Sequence, residues 1–137
     1  MKPLHLLLLS LLLATPLSAQ TLRNSNNTNI GKIESDGTIR NSNNSRIGKV
    51  ERDGVIRNSS NSVVGKIESD GTIRDRNNSR IGKVESDGTV RDKNNSRVGK
   101  IESDGTIRNS NNSNIGKAEI SDKRLAAVIF FFGYLLM

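Results

Sequence analysis

One 17-residue sentence is repeated through this chain without an insertion or a deletion, most cleanly from Thr72 to Gly88 as Thr-Ile-Arg-Asp-Arg-Asn-Asn-Ser-Arg-Ile-Gly-Lys-Val-Glu-Ser-Asp-Gly. Copies begin at Thr21, Thr38, Val55, Thr72, Thr89 and Thr106, and an Ile/Val-Gly-Lys core recurs at Gly31, Gly48, Gly65, Gly82, Gly99 and Gly116. A period this strict marks a repeat architecture, in which each unit buries its apolar face against the next. A copy carries few aliphatic side chains, such as Ile73, Ile81 and Val84. One unit alone cannot offset the entropy of ordering its own backbone, so the copies must fold together. A residue present in every copy is therefore explained by stacking before it is explained by a unique site.

The aliphatic positions are β-branched almost throughout, stand beside Thr, and lack a sustained helical spacing, which favours strands. Each copy offers two: one around Thr-Ile-Arg and one around Arg-Ile-Gly-Lys-Val-Glu. The joint from Glu34 to Thr38 suits a three-residue hairpin loop closed by Gly37 at positive φ. The joint from Asn41 to Ser45 is a run of residues that bond their own backbone and tolerate left-handed conformations. No proline follows Pro16 to interrupt a ladder.

The expected fold is all-β: six 17-residue two-strand repeats forming either a β-solenoid or a hairpin-repeat sheet, with a short hydrophobic C-terminal segment. The Asp-Gly loop favours hairpins. The fixed length and the invariant Asn27, Asn44, Asn61, Asn78, Asn95 and Asn112 favour stacked rungs joined by Asn ladders. The hairpins would close or curl into a compact sheet, whereas stacked copies leave an exposed strand edge at each end unless something covers it.

Three segments are expected. Residues 1–19 read as a secretory signal peptide, with Lys2 at its start, an apolar run from Leu6 to Leu13 and a small-residue exit at Ala19; the run is too short to span a bilayer. The β-repeat domain occupies 20–120, and a hydrophobic tail occupies 121–137. Export places the mature chain in the periplasm, at the outer membrane or outside the cell. Cleavage would also remove His5, the one histidine, from a chain without cysteine or tryptophan. Thiol chemistry, Cys/His metal sites and histidine acid–base catalysis are then excluded, and neither enzymatic activity nor a cofactor is expected.

The formal net charge is +7, about +6 without Lys2. Nucleic acid is not an expected partner: the repeats have no aromatic platform for bases, and their basic residues alternate with acidic ones. Lys32 and Glu34, and their counterparts in every copy, project to one face of a strand and suit an alternating charge lattice. The column Arg40, Arg57, Arg74, Arg91 and Arg108 either extends that lattice or presents a basic stripe for an anionic polysaccharide or lipid surface. Positions that vary between copies, Ser42, Arg76 and Lys93 at one place and Asn29, Arg46, Val63 and Asn114 at another, lie in or beside the Asn-rich joint. A surface tuned for a partner is expected on that rim. The Asp-Gly turns are too sparse in oxygen ligands for repeat calcium sites, and the Asn-X-Ser/Thr sequons follow from turn composition.

The pattern Asp-Gly-Thr-Ile-Arg-Asn/Asp, Asn-rich turn, Ile-Gly-Lys-Ile from Thr21 to about Glu119 resembles the short hairpin repeats of bacterial secreted proteins, including the four-fold beta-flower group. A weaker resemblance is to curlin, the amyloid subunit of curli fibres, with its signal peptide and two-strand copies. Neither resemblance implies a catalytic residue.

After Lys117 the pattern decays, and Leu125 to Met137 carry no charge and hold all of the aromatics: Phe130, Phe131, Phe132 and Tyr134. This tail is a cap over the last repeat, a membrane attachment flanked by Lys123 and Arg124, or a self-association element. The function expected from sequence is a non-enzymatic exported scaffold at the cell envelope or beyond it, self-associating through strand edges. The alternative is a binding module that holds anionic glycan or lipid through the Arg/Asn-rich face.

Overall fold

In the computed structural model, residues 20–119 and 122–137 are described; the expected signal peptide lies outside them. The chain forms β1 (Gln20–Asn24), β2 (Asn29–Ile33), β3 (Thr38–Asn41), β4 (Arg46–Val50), β5 (Val55–Asn58) and β6 (Val63–Ile67). The series continues with β7 (Thr72–Asp75), β8 (Arg80–Val84), β9 (Thr89–Asp92), β10 (Arg97–Ile101), β11 (Thr106–Asn109) and β12 (Asn114–Ala118). The tail adds helix α1 (Lys123–Phe131) and a 3-10 turn (Gly133–Leu136).

Each strand pairs antiparallel with its sequence neighbours, and β12 pairs with β1, so the sheet closes into a barrel. The closing seam repeats the register found between any two copies: Leu22 faces Ala118, Arg23 faces Lys117 and Asn24 faces Gly116, as Ile39, Arg40 and Asn41 face Ile33, Lys32 and Gly31. The Glu119 amide donates to the Thr21 carbonyl at 3.0 Å, matching Glu34 to Thr38 at 2.8 Å. This corrects the solenoid expectation. The units are hairpins arranged side by side around a ring, and the two edges that a linear array would leave open satisfy each other.

Both joints build the same kind of turn. In one, Gly37 donates to the Glu34 carbonyl and Glu34 donates to that of Thr38, with Gly37 at φ 93° and the Asp36 carboxylate accepting from the Thr38 amide. In the other, Asn44 donates to Asn41 and Asn41 to Ser45, with Asn44 at φ 67° and the Asn41 side chain accepting from the amides of Asn43 and Ser45. The invariant asparagines thus serve as left-handed turn residues, and the expected Asn ladder is corrected accordingly: their recurrence records a repeated turn.

Twelve inward side chains, one from each strand, form a closed belt at the level of the Asp-Gly turns: Leu22 and Ala118 at the seam, and pairs such as Ile33 with Ile39 and Ile67 with Ile73 elsewhere. All are buried. Nearer the Asn-rich turns each copy has a register shift, as between Ile39 and Arg40, and the second inward level is a ring of glycines. A barrel of about eight strands can be filled by its own side chains. Twelve strands with glycine on the wall leave a wider lumen, and the tail fills it. A methyl group at Gly116 would lie 2.6 Å from Phe130, and one at Gly48 would lie 2.7 Å from Leu136. Between them Gly99, Gly82 and Gly65 face Phe131, Phe132 and Leu135. Five successive copies therefore each receive one bulky tail residue, while Ala126, Ala127 and Val128 of α1 are fully enclosed in the same core.

Candidate surface-binding site

The ring has two chemically different ends. At one end lie the Asp-Gly turns, and here the tail enters. Asp122 caps α1 by accepting from the Arg124 amide, and its carboxylate also pairs with the Arg124 guanidinium at 2.9 Å. Burial pushes the Asp122 carboxyl upward, but the bonds from Arg124 outweigh it and hold it below its ordinary value. Arg124 in turn donates to the Glu68 carbonyl at 3.2 Å, which seats the helix toward one side of the mouth. On the other side a cavity of about 700 Å³ remains, floored by Ile33, Val50, Ile67 and Leu125 and rimmed in part by Gln20 and Arg52. Arg52 stands where the other turns carry Ser35, Ser69, Ser86 and Ser103. Asp36, Asp53, Asp70, Asp87, Asp104 and Asp122, set against Arg52, Lys123 and Arg124, sum to −3 at the turns themselves, with the repeat lysines close by on the wall: Lys49, Lys83, Lys100 and Lys117 act on the carboxyls of Asp36, Asp70, Asp87 and Asp104.

The wall between the ends carries the arginine column. Arg40, Arg57, Arg74, Arg91 and Arg108 pair through Nε with Glu34, Glu51, Glu68, Glu85 and Glu102 at 3.2 or 3.3 Å. The seam repeats the contact with Arg23 and Glu119 at 3.9 Å. Each column arginine also donates to an asparagine carbonyl in its own Asn-rich turn, as Arg74 does to Asn78 at 3.1 Å. The charge lattice thus joins Glu to Arg. The repeat lysines stand directly opposite arginines across the strands, as Lys32 does to Arg40, and make no ion pair among the described residues. The paired arginine side chains keep 28–32% of their surface exposed, and pairs this exposed contribute at most about 1 kcal/mol each.

The opposite end is built from the Asn-rich turns. Arg46, Arg76, Arg80, Lys93 and Arg97 lie there against Asp75 and Asp92, a net charge of +3. Arg46 donates to the carbonyls of Asn58 and Ser59 at 3.2 Å, and Arg80 reaches the Lys93 carbonyl at 3.4 Å; these contacts satisfy donors without neutralising charge. The tail finishes at this end. Of the four aromatics, Phe132 is buried and Phe130 and Phe131 are half-buried against the glycine wall, whereas Tyr134 is 59% exposed and Met137 is 93% exposed. The Tyr134 hydroxyl is pushed above its ordinary pKa, first by burial and then by the nearby charge of Asp75.

The family comparison matches this repeated, tail-filled chain over residues 19–135 to a family described as 5-fold beta-flower protein. The chain belongs to that family. Its own ring has six copies, and the match covers both the repeats and nearly all of the tail. The four-fold grouping and the curlin likeness are not what this match supports. No curated protein and no solved structure matches the chain.

Among the described residues no group of three acidic or imidazole side chains is placed to hold a metal ion, and no helix is long and apolar enough to cross a membrane. Sequence reasoning located the variable Asn-rich rim, including Arg46, Arg76, Lys93 and Val63. It missed the pairing of the tail with the glycine row and the position of Arg52 beside a cavity. The signal for the first was present: a glycine inside every second strand marks close approach by something else, and the tail supplies the bulky residues that the repeats lack.

Proposed function

We propose that this protein is an exported, non-enzymatic ring that attaches to anionic surfaces outside the cytoplasm through its Asn-rich end. The observation that carries the reading is the cluster of Arg46, Arg76, Arg80, Lys93 and Arg97 at that end, net +3 and without a glutamate partner among the described residues; the turns at the other end sum to −3, and the wall between them carries +6 through its six repeat lysines, its arginines being paired with glutamates. The basic wall draws a polyanion to the ring, and the acidic turns leave the Asn-rich end as the favoured end for contact. The variation between copies is compatible with this division, since Arg46, Arg76, Arg80, Lys93 and Arg97 all lie in or beside the Asn-rich joints while the wall positions repeat. Self-association through strand edges has little to work with, because β1 and β12 use their edges on each other.

The test is binding to a sulfated polysaccharide gel and to anionic vesicles over a range of salt. Retention should fall steeply as salt rises, and the triple change Arg80→Gln, Lys93→Gln and Arg97→Gln should weaken vesicle binding about 100-fold. Replacing Arg74 and Arg91, which sit in the paired column, should weaken it less. Salt-independent binding, or equal losses from both sets, would overturn the assignment to this end.

A further inference from the structure

We infer that the surface held by the Asn-rich end is an anionic lipid bilayer, with Tyr134 and Met137 entering the headgroup region while the ring stays outside. The inference rests on the attachment proposed above and names its partner. The large apolar side chains that are exposed among the described residues are Ile30, Val63, Tyr134 and Met137, at 37, 45, 59 and 93%, and all four belong to this end. Ile30 is the second residue after the first Asn-rich joint, and Val63 is the first after the third. Tyr134 lies near Asp75, at the start of the fourth, and Met137 ends the tail, its amide bonded to the Tyr134 carbonyl. A hydrated polysaccharide gains nothing from meeting a methionine that is almost wholly exposed. A bilayer interface does, since tyrosine is suited to the headgroup level and apolar side chains beside basic ones form the two-part signal for peripheral attachment.

The charges set the depth. Arg76, Arg80, Lys93 and Arg97 ring the same end and would meet lipid phosphates as the apolar tips enter. Above them the outer wall presents Arg, Lys and Glu from every copy, which cannot pass into hydrocarbon. The strands are four or five residues long, whereas a membrane-crossing strand needs about nine to eleven. Docking therefore stops at the rim. The acidic mouth with its cavity is left facing away from the membrane.

The full chain carries its own probe, because Tyr134 is the only tyrosine and there is no tryptophan. Its fluorescence reads position 134 whatever the first 19 residues do. With vesicles of phosphatidylcholine containing about 30% phosphatidylglycerol, brominated acyl chains should quench Tyr134. The change Met137→Ser should reduce both quenching and vesicle affinity, and Tyr134→Ser with Met137→Ser should lower affinity at least about tenfold. Arg80→Gln with Lys93→Gln and Arg97→Gln should lower it about 100-fold. Circular dichroism of each variant checks that the ring remains folded. If Tyr134 is not quenched and the serine variants bind as the parent does while the glutamine variant fails, the entry of the tail tip into the bilayer is refuted and attachment by charge alone stands. Binding that survives the glutamine changes as well would remove both.

Discussion

If the tail residues are the filling of the lumen, an added methyl group on the wall should be costly in proportion to how closely the tail approaches that wall. Gly82 and Gly65 allow the comparison, because they hold the same place in adjacent copies and neither has left-handed backbone. A methyl group at Gly82 would lie 2.6 Å from the Arg91 carbonyl oxygen, and one at Gly65 would lie 2.5 Å from that of Arg74. The backbone conflict is therefore shared. The tail contact differs: at Gly82 the methyl would overlap the Phe132 ring, with Cε1 only 2.7 Å away, whereas at Gly65 Leu135 stays at 3.5 Å, an ordinary contact. Gly82→Ala should thus destabilise the ring by about 1–3 kcal/mol more than Gly65→Ala, the usual cost of overpacking a core. In urea this is a midpoint lower by about 1 M, at a slope of about 1–3 kcal/mol/M. Phe132→Ala should itself cost about 3–5 kcal/mol, and in that background Gly82→Ala should lose most of its excess, a coupling of at least about 1 kcal/mol. Equal penalties at the two glycines, or additivity with Phe132→Ala, would refute the packing of the tail against the wall.

Two further expectations address the turns. Asn78 sits at φ 67°, so Asn78→Gly should be nearly neutral and Asn78→Ala should cost about 1 kcal/mol, read as a lower thermal midpoint. The carboxyls of Asp36, Asp70, Asp87 and Asp104 are held below their ordinary value of 3.8, chiefly by the backbone amides of Thr38, Thr72, Thr89 and Thr106. A depressed folded pKa gives stability that is present above the unfolded value and lost as pH falls through the folded one. Urea midpoints should therefore drop below about pH 4, and changing all four to Asn, which still accepts the amide, should flatten that fall.

The local structure was written in the repeat. Strand and turn positions followed from β-branched pairs, Gly37 and the Asn-rich joint, because hairpin chemistry depends on residues within a few positions of one another. Copy number and the variable rim were also plain. The same strictness misled about the asparagines: an invariant Asn44 reads equally as a ladder or as a left-handed turn residue, and only its φ of 67° separates the two. Closure was one of two open alternatives and could not be decided, since the pairing of Leu22 with Ala118 joins the first and last strands of the repeat domain and depends on the curvature accumulated over twelve strands. The tail shows the division most clearly. Its composition alone required that it be covered, attached or associated. Which of these occurs depends on the width of a lumen formed by every copy at once, and on the glycine row that makes room for Phe130, Phe131, Phe132, Leu135 and Leu136.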